Sequence, residues 1–223
     1  MKTGSFEFNK QQMGYTKTGV WPAVILLHGF GEDQHIFNST VNALEKTYTV
    51  YTPDLLGTGM SSINTFPSNF SIKYVADSTA ALIQHEKIES CVVLGHSMGG
   101  YIGLSFADYY INHVQGLLLL HSTTYEDNEA KKMSRMKVAE FLEEHGTLKY
   151  LETATANLFA NPFKEQHPDK IQTVIDSASD ISKETMMQFV FAMRNRRAHN
   201  HLLTQKRIPI WMIVGKEDIA VPF

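Results

Sequence analysis

Residues 92–103 read VVLGHSMGGYIG, an apolar run, one serine and four glycines within twelve positions. The run stops at Gly95-His96-Ser97-Met98-Gly99 and passes straight into a small-residue helical pattern over 98–111. That is G-x-S-x-G in the context it requires, between a strand and a helix. The demand behind the pattern is steric. A serine on so tight a turn takes a strained backbone conformation, and small flanking residues let the neighbouring elements approach. The turn lifts the hydroxyl into the open at a helix N-terminus, where unpaired N–H groups can stabilise a developing oxyanion. Ser97 is the candidate nucleophile, so the rest of the chain must supply a base and an acid.

Other apolar runs follow the same plan. AVILLHG (23–29), YTVYTPDLLG (48–57), VQGLLLLHS (114–122) and IPIWMIVGKED (208–218) each end in glycine or in a polar residue with chemical potential. They are continuous rather than alternating, as in strands buried on both faces. SFEFNKQQMGYTKTG (5–19) reads as an exposed hairpin. Ser71 is placed to cap a helix carrying Ile72, Val75, Thr79, Leu82 and Ile83 on one face. The alternation predicts an α/β fold with a mostly parallel central sheet and helices on both faces. Function in such sheets gathers at the carboxyl ends of the strands, where all these polar residues lie.

Residues 124–205 break the rhythm. EDNEAKKMSRMKVAEFLEEHG (126–146) sets charges on one side and Met133, Met136, Phe141 and Leu142 on the other. The block predicts a helical cap, inserted into a core made of 1–123 and 206–223. Its methionines and phenylalanines, Met186, Met193 and Phe189 among them, either line an adaptable apolar pocket or pack the cap onto the core. Arg194, Arg196 and Arg197 offer one candidate partner for a substrate carboxylate, but they are expected to be solvated or paired with the acidic cap helix.

Composition narrows the classes. With 43% hydrophobic and 19% charged residues, the 223-residue chain suits a soluble globular domain with a sizeable core. A net charge of -3 argues against nucleic acid as partner. Cys91 is the single cysteine, so no intramolecular disulfide can form. The segment MKTGSFEFNKQQ lacks the apolar centre of a signal peptide, and GLLLLHS (116–122) is too short to span a bilayer. A cytoplasmic protein is expected. The sequence shows no metal-ligand spacing, phosphate loop or dinucleotide fingerprint, so no metal or cofactor is expected.

Four motifs, LLHGFG (26–31), PDLLGTGMSS (53–62), GHSMGG (95–100) and GKEDIAVP (215–222), together resemble those of the α/β-hydrolases, the superfamily of esterases, lipases and C–C hydrolases. The resemblance covers nearly the whole chain. It implies a serine hydrolase, most simply one that cleaves a small or medium carboxylic ester. Ser97 would be the nucleophile and Asp218 the acid, with Glu217 pointing elsewhere and Asp127 a distant second choice. The backbone N–H groups of Phe30 and Met98 would form the oxyanion hole. His28 would brace the oxyanion loop, Asp54 would organise the D-x-x-G-x-G-x-S loop, and His96 would point away and pack. A C–C hydrolase or lyase of the menaquinone-biosynthesis type, or a non-catalytic small-molecule receptor, are the rival functions on this scaffold.

The base is the difficulty. In the family it follows the acid in chain order, yet only five residues follow Asp218 and none is histidine. The sequence therefore reads as a truncated hydrolase lacking the last strand and helix of the fold. His121, at the end of the strand after the serine strand, is the candidate substitute base, with His199 and His201 as further options. Truncation would also leave IPIWMIVG as an apolar sheet edge open to homodimerisation.

Overall fold

The computed structural model describes residues 1–218, 220 and 221. The chain opens with an antiparallel hairpin, β1 (Lys2–Phe8) and β2 (Gln11–Thr18), turned through Asn9 and Lys10. Both turn residues have positive φ, 49° and 64°, the twist that matches flanking strands. The hairpin is less exposed than its sequence suggests. Met13 and Tyr15 are buried because β2 continues into the main sheet against β4.

The remaining strands are β3 (Ala23–Leu27), β4 (Thr49–Pro53), β5 (Cys91–His96), β6 (Val114–Leu120) and β7 (Ile210–Ile213). The seven strands are ordered β1-β2-β4-β3-β5-β6-β7, and β4, β3, β5, β6 and β7 run parallel. Helices α1 (Asn38–Leu44), α2 (Ile72–Glu86) and α3 (Met98–Tyr109) complete the α/β layers. All five residues of β3 are buried, as a central strand covered on both faces must be. Val24 and Leu26 pack with Val41 of α1, while Ile25 and Leu27 pack with Val75 of α2 and Ile102 of α3. Truncating one such leucine to alanine would cost about 2–5 kcal/mol. Ser71 caps α2 as the sequence predicts, its hydroxyl accepting from Tyr74 N.

Between β6 and β7 the described chain is helical: α4 (Glu129–Ala154), α5 (Asn161–Gln166), α6 (Pro168–Ala178), α7 (Lys183–Arg194) and α8 (His201–Gln205). α4 is bent at Gly146, whose φ of 77° and ψ of 177° are not helical. These helices bury a second apolar cluster, including Leu142, Leu151, Ile175 and Val190. Among the described residues, no helix is long and apolar enough to cross a membrane.

Candidate active site

Ser97 occupies the turn from β5 into α3 with φ 50° and ψ −115°, a strained conformation for a residue bearing a Cβ. Three glycines make room for it. A Cβ on Gly95 would collide with the carbonyl of Gly99, one on Gly99 with the carbonyl of Leu27, and one on Gly100 with the Ser122 hydroxyl. The turn is tied to β6, since Ser97 N donates to Leu120 O (2.8 Å) and Ser122 Oγ donates to Ser97 O (2.8 Å). The backbone is held at both ends. The Ser97 side-chain hydroxyl makes no hydrogen bond among the described residues.

His121 follows β6 and Asp218 follows β7, two neighbouring parallel strands ending on the same side as Ser97. His121 Nδ1 lies 2.8 Å from Asp218 Oδ2. The other carboxylate oxygen accepts from Ala220 N (2.9 Å) and Val221 N (2.8 Å). Burial works to raise the Asp218 pKa, but the Val221 amide, His121 and the Ala220 amide together hold it below the usual value. With the acid ionised, Nδ1 carries the proton and Nε2 is left as the basic nitrogen. His121 itself has φ 50° and donates its backbone N–H to Ile213 O (2.8 Å), so the sheet over-determines its position. Of the acid-loop motif, Ile219 and the closing Pro222 lie outside the described residues, as does Phe223.

The loop after β3 carries Phe30. His28 is buried and braces this loop as its motif predicts. Its Nδ1 donates to Gly29 O (2.9 Å), which leaves Nε2 to accept from Leu55 N (3.0 Å). Asp54 is the expected organiser. It accepts from Gln34 N (2.8 Å), Gln34 Nε2 (2.9 Å) and Met60 N (2.8 Å).

Two expectations are corrected. His96 does not point away from the polar residues. Its Nδ1 pairs with Glu32 Oε2 at 2.9 Å, and its ring meets that of His121 edge-on with centroids 6.1 Å apart. Burial works to lower the His96 pKa, but the Glu32 carboxylate outweighs it and the value rises. His199 and His201 do not reach Ser97. Both lie against Asp108 near the far end of α3, at 3.3 and 2.7 Å. Arg196 takes the paired alternative and is buried. It forms an ion pair with Asp127 (2.7 Å), stacks on Tyr101 (3.9 Å to the ring centre), and so removes Asp127 from contention as the acid.

A cavity of about 120 Å³ opens over Ser97, walled by Phe30, Glu32, Tyr101, Met193 and the α4 residues Lys131, Arg135 and Tyr150. Of the methionines expected at such a pocket, Met193 lines it, Met186 is buried in the second apolar cluster and Met133 is exposed. The sequence reading missed Glu32, Lys131 and Arg135. Glu32 stands in plain view in HGFGED (28–33), whereas Lys131 and Arg135 are hidden among the many charges of α4.

Residues 22–145, more than half the chain, match the family model described as "alpha/beta hydrolase fold". The chain belongs to the α/β-hydrolase fold family. A Serratia proteamaculans protein that bears the provisional name carbamate hydrolase RutD is 23% identical to this α/β-hydrolase over 208 residues, which are 92% of this chain and 77% of the relative. A thermophilic esterase from Thermogutta terrifontis, solved with malate bound, superposes with a TM-score of 0.89 at 25% identity, over 100% of this chain and 83% of its own. The enol-lactonase of Burkholderia xenovorans LB400 superposes with a TM-score of 0.88 at 20% identity, over 98% and 84% of the two chains, a likeness of fold.

Proposed function

We propose that this α/β-hydrolase is a serine hydrolase of carboxylic esters, with Ser97 as nucleophile, His121 as base and Asp218 as the acid that orients it. The observation that carries the proposal is the 2.8 Å contact between His121 Nδ1 and Asp218 Oδ2, at strand ends bordering the Ser97 turn. A serine hydroxyl is a weak nucleophile until a base removes its proton. In this reading His121 Nε2 takes that proton as Oγ attacks the ester carbonyl, and Asp218 stabilises the imidazolium that forms. The Phe30 and Met98 backbone N–H groups hold the oxyanion, each worth about 3 kcal/mol. The tetrahedral intermediate then collapses, and His121 returns the proton to the departing alcohol. Water repeats the sequence on the acyl-enzyme, releasing the carboxylic acid and restoring Ser97. The helices of 124–205 act as a cap, a role supported by the cavity walls that α4 contributes. The scheme needs no metal or cofactor.

The test is hydrolysis of p-nitrophenyl butyrate by the 223-residue chain and by Ser97→Ala, His121→Ala and Asp218→Asn. Ser97→Ala and His121→Ala should each lose at least about a thousandfold in kcat, because triad members act as a unit. Turnover that survives His121→Ala would remove His121 from the mechanism. Turnover that survives Ser97→Ala would end the whole proposal.

A further inference from the structure

We infer that the Ser97 cavity takes a substrate bearing a carboxylate, held by Lys131 and Arg135 of α4. The inference rests on the Ser97 reading and narrows its substrate class to half-esters of short dicarboxylic acids. Lys131 and Arg135 both wall the cavity that Ser97 opens into. Four residues apart on one helix, they share a face. Two like charges side by side and partly desolvated are unfavourable unless something compensates them.

The compensation in the protein is incomplete. Asp127 offers one carboxylate to two guanidiniums, Oδ2 to Arg135 Nε (3.0 Å) and Oδ1 to Arg196 Nη1 (2.7 Å). Lys131 Nζ donates to the neutral carbonyl of Ala220 at 2.7 Å, and no carboxylate among the described residues forms an ion pair with it. The nearby acids are already engaged. Asp218 serves His121 and two backbone amides, and Glu32 serves His96 and Gly29 N. Three cations thus stand against the single carboxylate of Asp127, already shared by two of them, in a protein whose net charge is -3. Burial, with Arg135 adding to it and Asp127 only partly opposing, holds the Lys131 pKa below the ordinary value.

Tying α4 to the loop before it would explain Arg135, Asp127 and Arg196. It would not explain Lys131. A substrate carboxylate explains both residues. It would bring the missing negative charge to Lys131. Arg135 would remain able to donate from its terminal nitrogens, since only Nε is engaged among the described residues. A cavity of about 120 Å³ suits a short acyl chain rather than a long one.

The test separates binding from turnover. Affinity is measured by calorimetry on Ser97→Ala with methyl hydrogen succinate and with methyl butyrate, esters matched in acyl length. The charged ester should bind at least about tenfold tighter, the scale of a charge-assisted contact. Lys131→Met should erase that preference and Lys131→Arg should keep it. With Ser97 in place, the kcat/KM ratio of p-nitrophenyl succinate to p-nitrophenyl butyrate should fall toward one in Lys131→Met, mainly through KM. Equal affinity for the two methyl esters would overturn the inference, as would a preference unmoved by Lys131→Met in a variant that melts like the parent. Preference for the charged ester with no turnover in any variant would uphold the carboxylate site and remove the esterase reading.

Discussion

At Ser97 the fold concentrates strain in one residue and relies on its neighbours to hold it. Gly99 is the most sensitive of these neighbours, because any side chain there meets the Leu27 carbonyl on the central strand. Backbone cannot yield as a flexible side chain does, so Gly99→Ala should lower unfolding free energy by about 3 kcal/mol or more, read by chemical denaturation. The Glu32–His96 pair makes a different prediction, one of pH. Because the folded protein holds His96 above its ordinary 6.5, the His96 contribution is complete below that value and fades as pH rises through the raised one. Glu32 is the mirror case. Burial works against its ionised form, but His96 and the Gly29 amide prevail and keep it below 4.5, so its contribution is complete above 4.5 and fades as pH falls through the lowered value. The pair is therefore worth most between 4.5 and 6.5. Between about pH 6 and about pH 8, the parent should lose more unfolding free energy than Glu32→Gln does. Equal losses in the two proteins would show that the pair is not coupled to folding.

Among the elements, α4 carries the most consequence for the site. Its first arm brings Lys131 and Arg135 to the cavity and its second brings Tyr150 and Leu151, with the bend at Gly146 between them. The Gly146 backbone, at φ 77° and ψ 177°, is open essentially to glycine alone, although nothing crowds a Cβ there. Gly146→Ala should cost about 1–3 kcal/mol through backbone strain without any steric clash, and calorimetric melting would measure it. Just before α4, Asp127 holds the guanidiniums of Arg135 and Arg196, and its side chain is only 2% exposed. Replacing it with asparagine leaves one buried and one half-buried guanidinium short of counter-charge, so Asp127→Asn should destabilise by about 3 kcal/mol in denaturant titrations. The charge pattern of residues 126–146 predicted the helix. It could not predict which charges would be turned inward, because that depends on what the helix packs against.

On the scale of the molecule, the last strand of the sheet among the described residues is apolar. On β7, Trp211, Met212 and Ile213 are 54%, 45% and 51% exposed, an arrangement that soluble sheets usually blunt with charge or cover. We propose that this edge pairs with a second copy of the 223-residue chain. Sedimentation should then show concentration-dependent association that Met212→Lys weakens, since a lysine on an edge opposes strand pairing. A monomer at every concentration would rule the pairing out.

The sequence by itself determined the order of strands and helices, the Ser97 turn, and the supporting roles of His28 and Asp54. Each of these depends on residues close in the chain: apolar runs that can only be buried strands, glycines where a Cβ has no room, a cap one residue before a helix. It held no histidine after the acid, offered His121, His199 and His201 only as substitutes for a missing base, expected His96 to face away, and had no place for Glu32, Lys131 or Arg135. Only the tertiary structure shows which partners these side chains meet. His121 meets Asp218 across 97 residues and His96 meets Glu32 across 64. Distances of that kind are set by which strands lie side by side and in what register. A residue type reveals what a side chain can do when it meets a partner, but the register of the sheet chooses the partner.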